Sequence, residues 1–223
     1  MSKKTMICGK EIVFYPARAG SRPLVLLNNF SGDGQSVHDA LQELGVPDLN
    51  LCSIGRLTWD HDMTPWYAPP LSADDTPCTG GADAYLLELT QEILPHVLEM
   101  TEGSPPFTAI AGYSLAGLFA LYALYHTDAF DRAASMSGSL WFPDFVPYAK
   151  EHAFRKNPDK LYLSLGDKEA STRNPVLKTV QENTEELVAH YREQGIATDY
   201  ELNPGNHFKD AALRTAKGIA AIL

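Results

Sequence analysis

The stretch FTAIAGYSLAGLF, Phe107 to Phe119, decides how this chain folds. A short apolar run, Phe107 to Ala111, enters Gly112-Tyr113-Ser114-Leu115-Ala116-Gly117, and an apolar helical pattern leaves it. That order predicts a strand, a sharp turn and a helix, with the Ser114 hydroxyl presented at the end of a parallel strand. The spacing Gly-x-Ser-x-Ala is common by composition alone. Its setting is what makes it informative. Gly112 and Ala116 stand where a larger side chain would collide as the strand doubles back, and Gly117 keeps the first helical turn slim against the sheet.

Chemical partners follow in chain order. Leu161 to Leu165 reads as a buried strand running into Gly166-Asp167-Lys168-Glu169. A helical stretch over about 174–194 closes at Gly195, and a further strand over about 197–202 runs into Asn203-Pro204-Gly205-Asn206-His207-Phe208. An acid and a histidine thus each follow a strand, with one helix between them, which is the crossover a parallel sheet demands. In that arrangement Ser114 attacks a carbonyl, His207 takes its proton and returns it to the leaving group, and a carboxylate orients the imidazolium. Asp167 and Glu169 compete for the last role, and a dyad without an acid is the third arrangement. Glu169 is preferred, because by that point the loop has had room to turn towards the histidine. Of the other histidines, His126, His152 and His190 fall on helices or their ends, and His96 lies in a helical stretch over about 83–100. Only His207 occupies the loop between the last predicted strand and a terminal helix over about 210–223.

Two backbone N–H groups are needed to hold a developing oxyanion. Leu115 opens the helix, where amides lack intrahelical acceptors and the dipole favours negative charge. The second is expected from the loop after the strand Leu24 to Leu27, at Phe30, with Asn29 and Ser31 as its neighbours. This loop lacks the Gly-Lys-Ser/Thr ending of a phosphate-binding P-loop. The segment TWDHDMTPWYAPPL, Thr58 to Leu71, is rich in aromatics and proline and is expected to form a wall or lid over the serine. Trp66, Trp141 and Tyr113 are the expected substrate contacts, since aromatic rings give broad apolar contact at low entropic cost. Asp60-His61-Asp62 invites a metal reading, but adjacent ligands on an extended chain point to opposite sides. Neither a metal nor a cofactor is expected.

Composition agrees with an enzyme of this architecture. Strand-like and helix-like runs alternate along 223 residues, 44% of them hydrophobic. This predicts an α/β fold with a mostly parallel central sheet covered on both faces, as one domain over residues 1–223. Further strands are expected at Ile12–Tyr15, Leu51–Ile54 and Ala133–Ser137, and Pro95 should kink or divide the helix that contains it. A formal charge of −10 with no basic stripe argues against nucleic-acid binding. No run has the length of a membrane span, and Met1-Ser2-Lys3-Lys4-Thr5 lacks the apolar core of a signal peptide. Cys8, Cys52 and Cys78 are an odd, scattered set. These features point to a cytoplasmic location and a small-molecule partner.

The segments Gly112–Leu121, Ser137–Phe142, Leu165–Glu169 and Gly205–Phe208 together resemble an esterase family of α/β-hydrolases. That family includes enterochelin and other siderophore esterases, esterase D-like enzymes and mycolyltransferases. The resemblance implies the α/β-hydrolase fold, Ser114 as nucleophile, His207 as base and Glu169 at the usual acid position. Ala116 stands where the family often has glycine, and Gly138 where it often has proline. The chain is short for the family, so the resemblance supports the reaction class better than any named substrate, siderophore, acyl or aryl ester. The reading is a serine esterase that cleaves a small or medium carboxylic ester through an acyl-enzyme. Thioester cleavage, acyl transfer and a non-catalytic binding role are the alternatives.

Overall fold

Short runs buried on both faces build the central strands of the sheet. The computed structural model describes residues 2–223. Its strands are β1 (Lys3–Ile7), β2 (Lys10–Tyr15), β3 (Leu24–Asn28), β4 (Asn50–Gly55), β5 (Tyr67–Ala68), β6 (Cys78–Thr79), β7 (Thr108–Tyr113), β8 (Arg132–Met136), β9 (Lys160–Gly166) and β10 (Thr198–Asn203). Eight of them form one sheet in the order β1-β2-β4-β3-β7-β8-β9-β10, and β5 pairs only with β6. From β4 to β10 every neighbouring pair is parallel, while β1 and β2 add antiparallel at one edge.

Among the described residues the α-helices are α1 (Gln35–Glu43), α2 (Trp59–Asp62), α3 (Ala82–Glu88), α4 (Leu94–Met100), α5 (Leu115–His126), α6 (Phe145–Glu151), α7 (Val180–Glu193) and α8 (Ala211–Ala221). Val13, Tyr15, Val25 and Leu27 face α1 and α8 on one side of the sheet. Ile12, Phe14, Leu24 and Leu26 face the layer built by α3 to α7 on the other. α5 is buried from Leu115 to Tyr125, which explains a sequence that is apolar all round rather than along one stripe. It lies against β7 and β8, so the turn that joins β7 to α5 is pressed into the centre of the molecule.

Two features differ from expectation. β1 was not apparent in the sequence. Its residues are largely exposed, and Lys3 and Lys4 give it the charged character of a protected edge strand. Cys8 (φ 49°) and Gly9 (φ 76°) link it to β2, two left-handed residues in the pattern of a type I′ hairpin. The disturbance expected at Pro95 falls one turn earlier. A π-helical turn, Leu89–Ile93, joins α3 to α4 and places Pro95 at the start of α4, where its missing N–H does least harm.

The β7–α5 crossing depends on Gly112. A Cβ there would lie 2.3 Å from the backbone carbonyl of Ala116, a contact that real side chains do not make. Gly112→Ala should therefore destabilise the protein by about 1–3 kcal/mol. Urea unfolding checks this, and unchanged stability would mean that strand and helix can separate freely.

Candidate active site

The steric demands of that crossing put Ser114 in an unusual conformation. It adopts φ 61° and ψ −126°, a left-handed backbone for a residue with a side chain. Such strain persists only where the surroundings over-determine it. Here the Ser114 N–H donates to Met136 O (3.1 Å), and its carbonyl accepts from Gly117, Leu118 and Ser139. The result is a hydroxyl that projects from the end of β7 at the mouth of a cavity.

The loops after β9 and β10 reach the same place because they are tied to one another. In-register pairing carries the two strands to Gly166 and Asn203. Beyond them, Asp167 N–H donates to Asn203 O (2.8 Å) and Lys168 N–H to Gly205 O (3.1 Å). Gly205 N–H returns a bond to Asp167 Oδ1 (2.7 Å). This joins the acid loop to the histidine loop, and it commits Asp167 to the backbone rather than to His207.

Glu169 instead meets the imidazole. His207 Nδ1 lies 2.7 Å from Glu169 Oε2, and Nε2 lies 3.1 Å from Ser114 Oγ. A carboxylate can only accept, so Nδ1 carries the proton and the Nε2 lone pair faces the serine hydroxyl. Glu169 Oε1 accepts from Ser137 Oγ (2.7 Å) and from the Gly166 N–H (2.6 Å). The Glu169 side chain is only 4% exposed. Burial pushes its carboxyl up, but the hydrogen bonds from His207, Ser137 and Gly166 outweigh that and hold it below the ordinary glutamate range.

Arg214 was not singled out in the sequence. It lies on α8, is 2% exposed, and donates to Pro204 O and Asn206 O, each at 3.0 Å, with Nη1 3.4 Å from Glu169 Oε1. A buried guanidinium thus braces the histidine loop and offsets the Glu169 charge. Ser137 was quoted in the sequence only as part of a motif, yet it bonds the acid directly. Tyr113, expected to contact substrate, lines the cavity, but its hydroxyl donates to His207 O (2.7 Å). Several of the other histidines are engaged elsewhere. His61, for example, contacts Thr79, and His126 contacts Tyr148.

For an oxyanion, the Leu115 N–H opens α5 beside Ser114. On the facing loop, Asn29 is excluded because its N–H donates to Ile54 O (2.9 Å). Phe30, the expected second donor, lines the cavity with Ser31.

The expected aromatic wall is corrected. Trp66 is not in the cavity lining. Its indole N–H donates to Pro143 O (3.0 Å), and its ring packs among Tyr122, Phe142 and Tyr148. Trp141 instead lines a hollow beside Pro69, Pro70 and Leu71. From that segment it is Trp59 that reaches the cavity. The segment is not extended at Trp59–Asp62 but makes the helical turn α2, held where Asp62 accepts from Thr58 N–H and pairs with the buried Lys10. Asp60, His61 and Asp62 turn to different partners, Thr76, Thr79 and Lys10. Among the described residues no group of three or more metal-ligating side chains gathers.

Residues 38–211 match the family described as "Putative esterase", and the chain belongs to that family. The Bacillus subtilis protein YbbA is 23% identical over 192 residues, 83% of this chain and 77% of its own. The IroE-like serine hydrolase from Shewanella oneidensis shares the fold with a TM-score of 0.80 at 18% identity, over 99% of this chain and 79% of that one. The siderophore hydrolase EstB from Aspergillus nidulans gives 0.77 at 20% identity, over 99% and 93%. The fold is that of the α/β-hydrolases, and by family the protein is an ester hydrolase. No helix among the described residues is long and apolar enough to cross a membrane.

The lowered Glu169 carboxyl has a consequence for stability. A carboxyl that titrates lower when folded stabilises the protein above the unfolded value, and that contribution is lost as pH falls through the folded value. Urea unfolding of Glu169→Gln should show a constant deficit from about pH 7 to about pH 5, narrowing below about pH 4. A deficit that does not change with acidification would refute the assignment of Glu169 as an ionised, hydrogen-bonded carboxylate.

Proposed function

We propose that this protein hydrolyses carboxylic esters of small or medium size through an acyl-enzyme, with Ser114 as nucleophile, His207 as general base and Glu169 as the orienting acid. The observation that carries the reading is the unbroken chain from Glu169 Oε2 through the imidazole to Ser114 Oγ, with steps of 2.7 and 3.1 Å. Both lie within proton-transfer reach.

In the first half-reaction, the Ser114 oxygen bonds to the carbonyl carbon as its proton passes to His207 Nε2. The negative charge gathers on the former carbonyl oxygen, where the N–H groups of Leu115 and Phe30 receive it. Collapse expels the alcohol, which leaves with the proton from Nε2. Water then attacks the acyl-serine, giving its proton to Nε2, and a second collapse releases the carboxylic acid and restores the Ser114 hydroxyl. Glu169 holds the imidazole in the tautomer that accepts at Nε2 and balances its charge once protonated.

We read residues 1–223 as one domain in support of this site. A single sheet draws strands from Lys3 to Asn203, and α8 closes over it from the C-terminal end.

A fluorophosphonate probe should label the wild type at Ser114, located by peptide mapping. Ser114→Ala should abolish labelling and reduce turnover of a 4-nitrophenyl ester by about 10⁶-fold. Glu169→Gln should lower kcat by about 10⁴-fold. Asp167→Asn weakens only a loop bond, so its loss should stay near tenfold. Substantial turnover by Ser114→Ala would end the proposal, and the reverse ranking of the two acids would reassign the third member.

A further inference from the structure

The cavity in front of Ser114 measures about 480 Å³, and apolar side chains share its lining with Asn28, Asn29, Ser31, Ser36 and Thr215. Leu27, Val37, Ala211 and Ala212 make its sides, and Phe30, Trp59 and Phe208 its aromatic part. Phe30 is 69% exposed and Phe208 is 84% exposed, although both are large and apolar. The ring of Phe30 stands edge-on to Trp59 at 5.0 Å, and that of Phe208 edge-on to His207 at 5.2 Å. Single exposed apolar residues are ordinary, but two flanking one nucleophile form a surface with something to bind.

Charge is the second observation. Among the described residues, no ionisable side chain other than His207 and the Tyr113 phenol lines this cavity. The cations that neighbour these lining residues in sequence, Lys209 and Arg214, do not line it. Lys209 packs on Gly205 and lines a different hollow with Asp167 and Lys168. Arg214 is buried and bonded to Pro204, Asn206 and Glu169. The chain as a whole carries −10. An anionic group drawn into this cleft would lose part of its water and meet no lysine or arginine side chain.

Building on the hydrolase reading above, we propose that the substrate is an uncharged ester with an aryl or short alkyl group seated among Phe30, Trp59 and Phe208, and that anionic esters are rejected. This separates the chain from a role on anionic metal chelates, although a siderophore hydrolase shares its fold. The rings remove apolar surface from water, and the missing cation supplies the discrimination.

Two esters with a common leaving group test this: 4-nitrophenyl butyrate and 4-nitrophenyl hemisuccinate, which adds one terminal carboxylate. The wild type should favour the butyrate in kcat/KM by about 100-fold. Phe30→Ala, which keeps the backbone N–H, and Phe208→Ala should each lower kcat/KM for the butyrate by about tenfold. Circular dichroism and unfolding midpoints would confirm that both variants fold. Ser36 is exposed and lines the cavity, so Ser36→Arg should raise kcat/KM for the hemisuccinate and narrow the preference. Equal use of both esters, or Phe variants with undiminished turnover, overturns the inference while leaving the hydrolase reading intact. Fluorophosphonate labelling without turnover of either ester does the same. Turnover that survives Ser114→Ala, or failure of the wild type to label, overturns the hydrolase reading and this inference with it.

Discussion

Everything that meets at Ser114 depends on parallel strands ending together at one edge of the sheet. β7, β9 and β10 contribute the serine, the acid loop and the histidine loop, and β3 contributes the loop that carries Phe30. Parallel pairing needs a crossover after each strand, so each strand end is followed by a loop on the same side. The chain exploits that edge by locking two of the loops to each other. Backbone bonds between 167–168 and 203–205 continue the β9–β10 pairing past the strands themselves. Gly166 permits this closeness, since a Cβ there would lie 2.3 Å from Gly205 O.

Around that framework, the polar groups are arranged so that one buried carboxylate is fully engaged. Glu169 accepts from His207, Ser137 and the Gly166 amide, and Arg214 lies beside it. Burying a carboxylate without partners would favour its neutral form, which could not balance the charge of a protonated imidazole. The hydrogen bonds reverse that tendency. Arg214 also grips the carbonyls of Pro204 and Asn206, so the same side chain that lies beside Glu169 braces the loop carrying His207. The site is therefore polar beneath and apolar in front, with the imidazole at the boundary.

The apolar side owes its form to a contact far from the serine. Trp59 enters the cavity because α2 is a helical turn, and α2 is anchored by the ion pair of Asp62 with Lys10 on β2. The neighbouring Trp66 is turned the other way and completes the core against α5 and α6. One irregular segment thus supplies both a wall for the cavity and a plug for the interior.

Much of this was readable before any coordinates. The strand–serine–helix turn and the order of serine, acid and histidine rest on short-range sterics and on loops that follow strands. Both leave marks at fixed offsets, such as Gly112 and Ala116 around Ser114. β1 left no such mark, because an exposed edge strand needs no apolar alternation. Arg214 and Ser137 were hidden for a different reason. Their contacts with Glu169 span 45 and 32 residues, and on their own elements they look like an ordinary helix arginine and a loop serine. Which tryptophan would face the cavity was likewise decided by a bond across 52 residues. Local sequence determined where the backbone turns and which reactive groups sit at the turns. Only the packed structure decided which side chains share a space, because that is settled by partners brought together from distant parts of the chain.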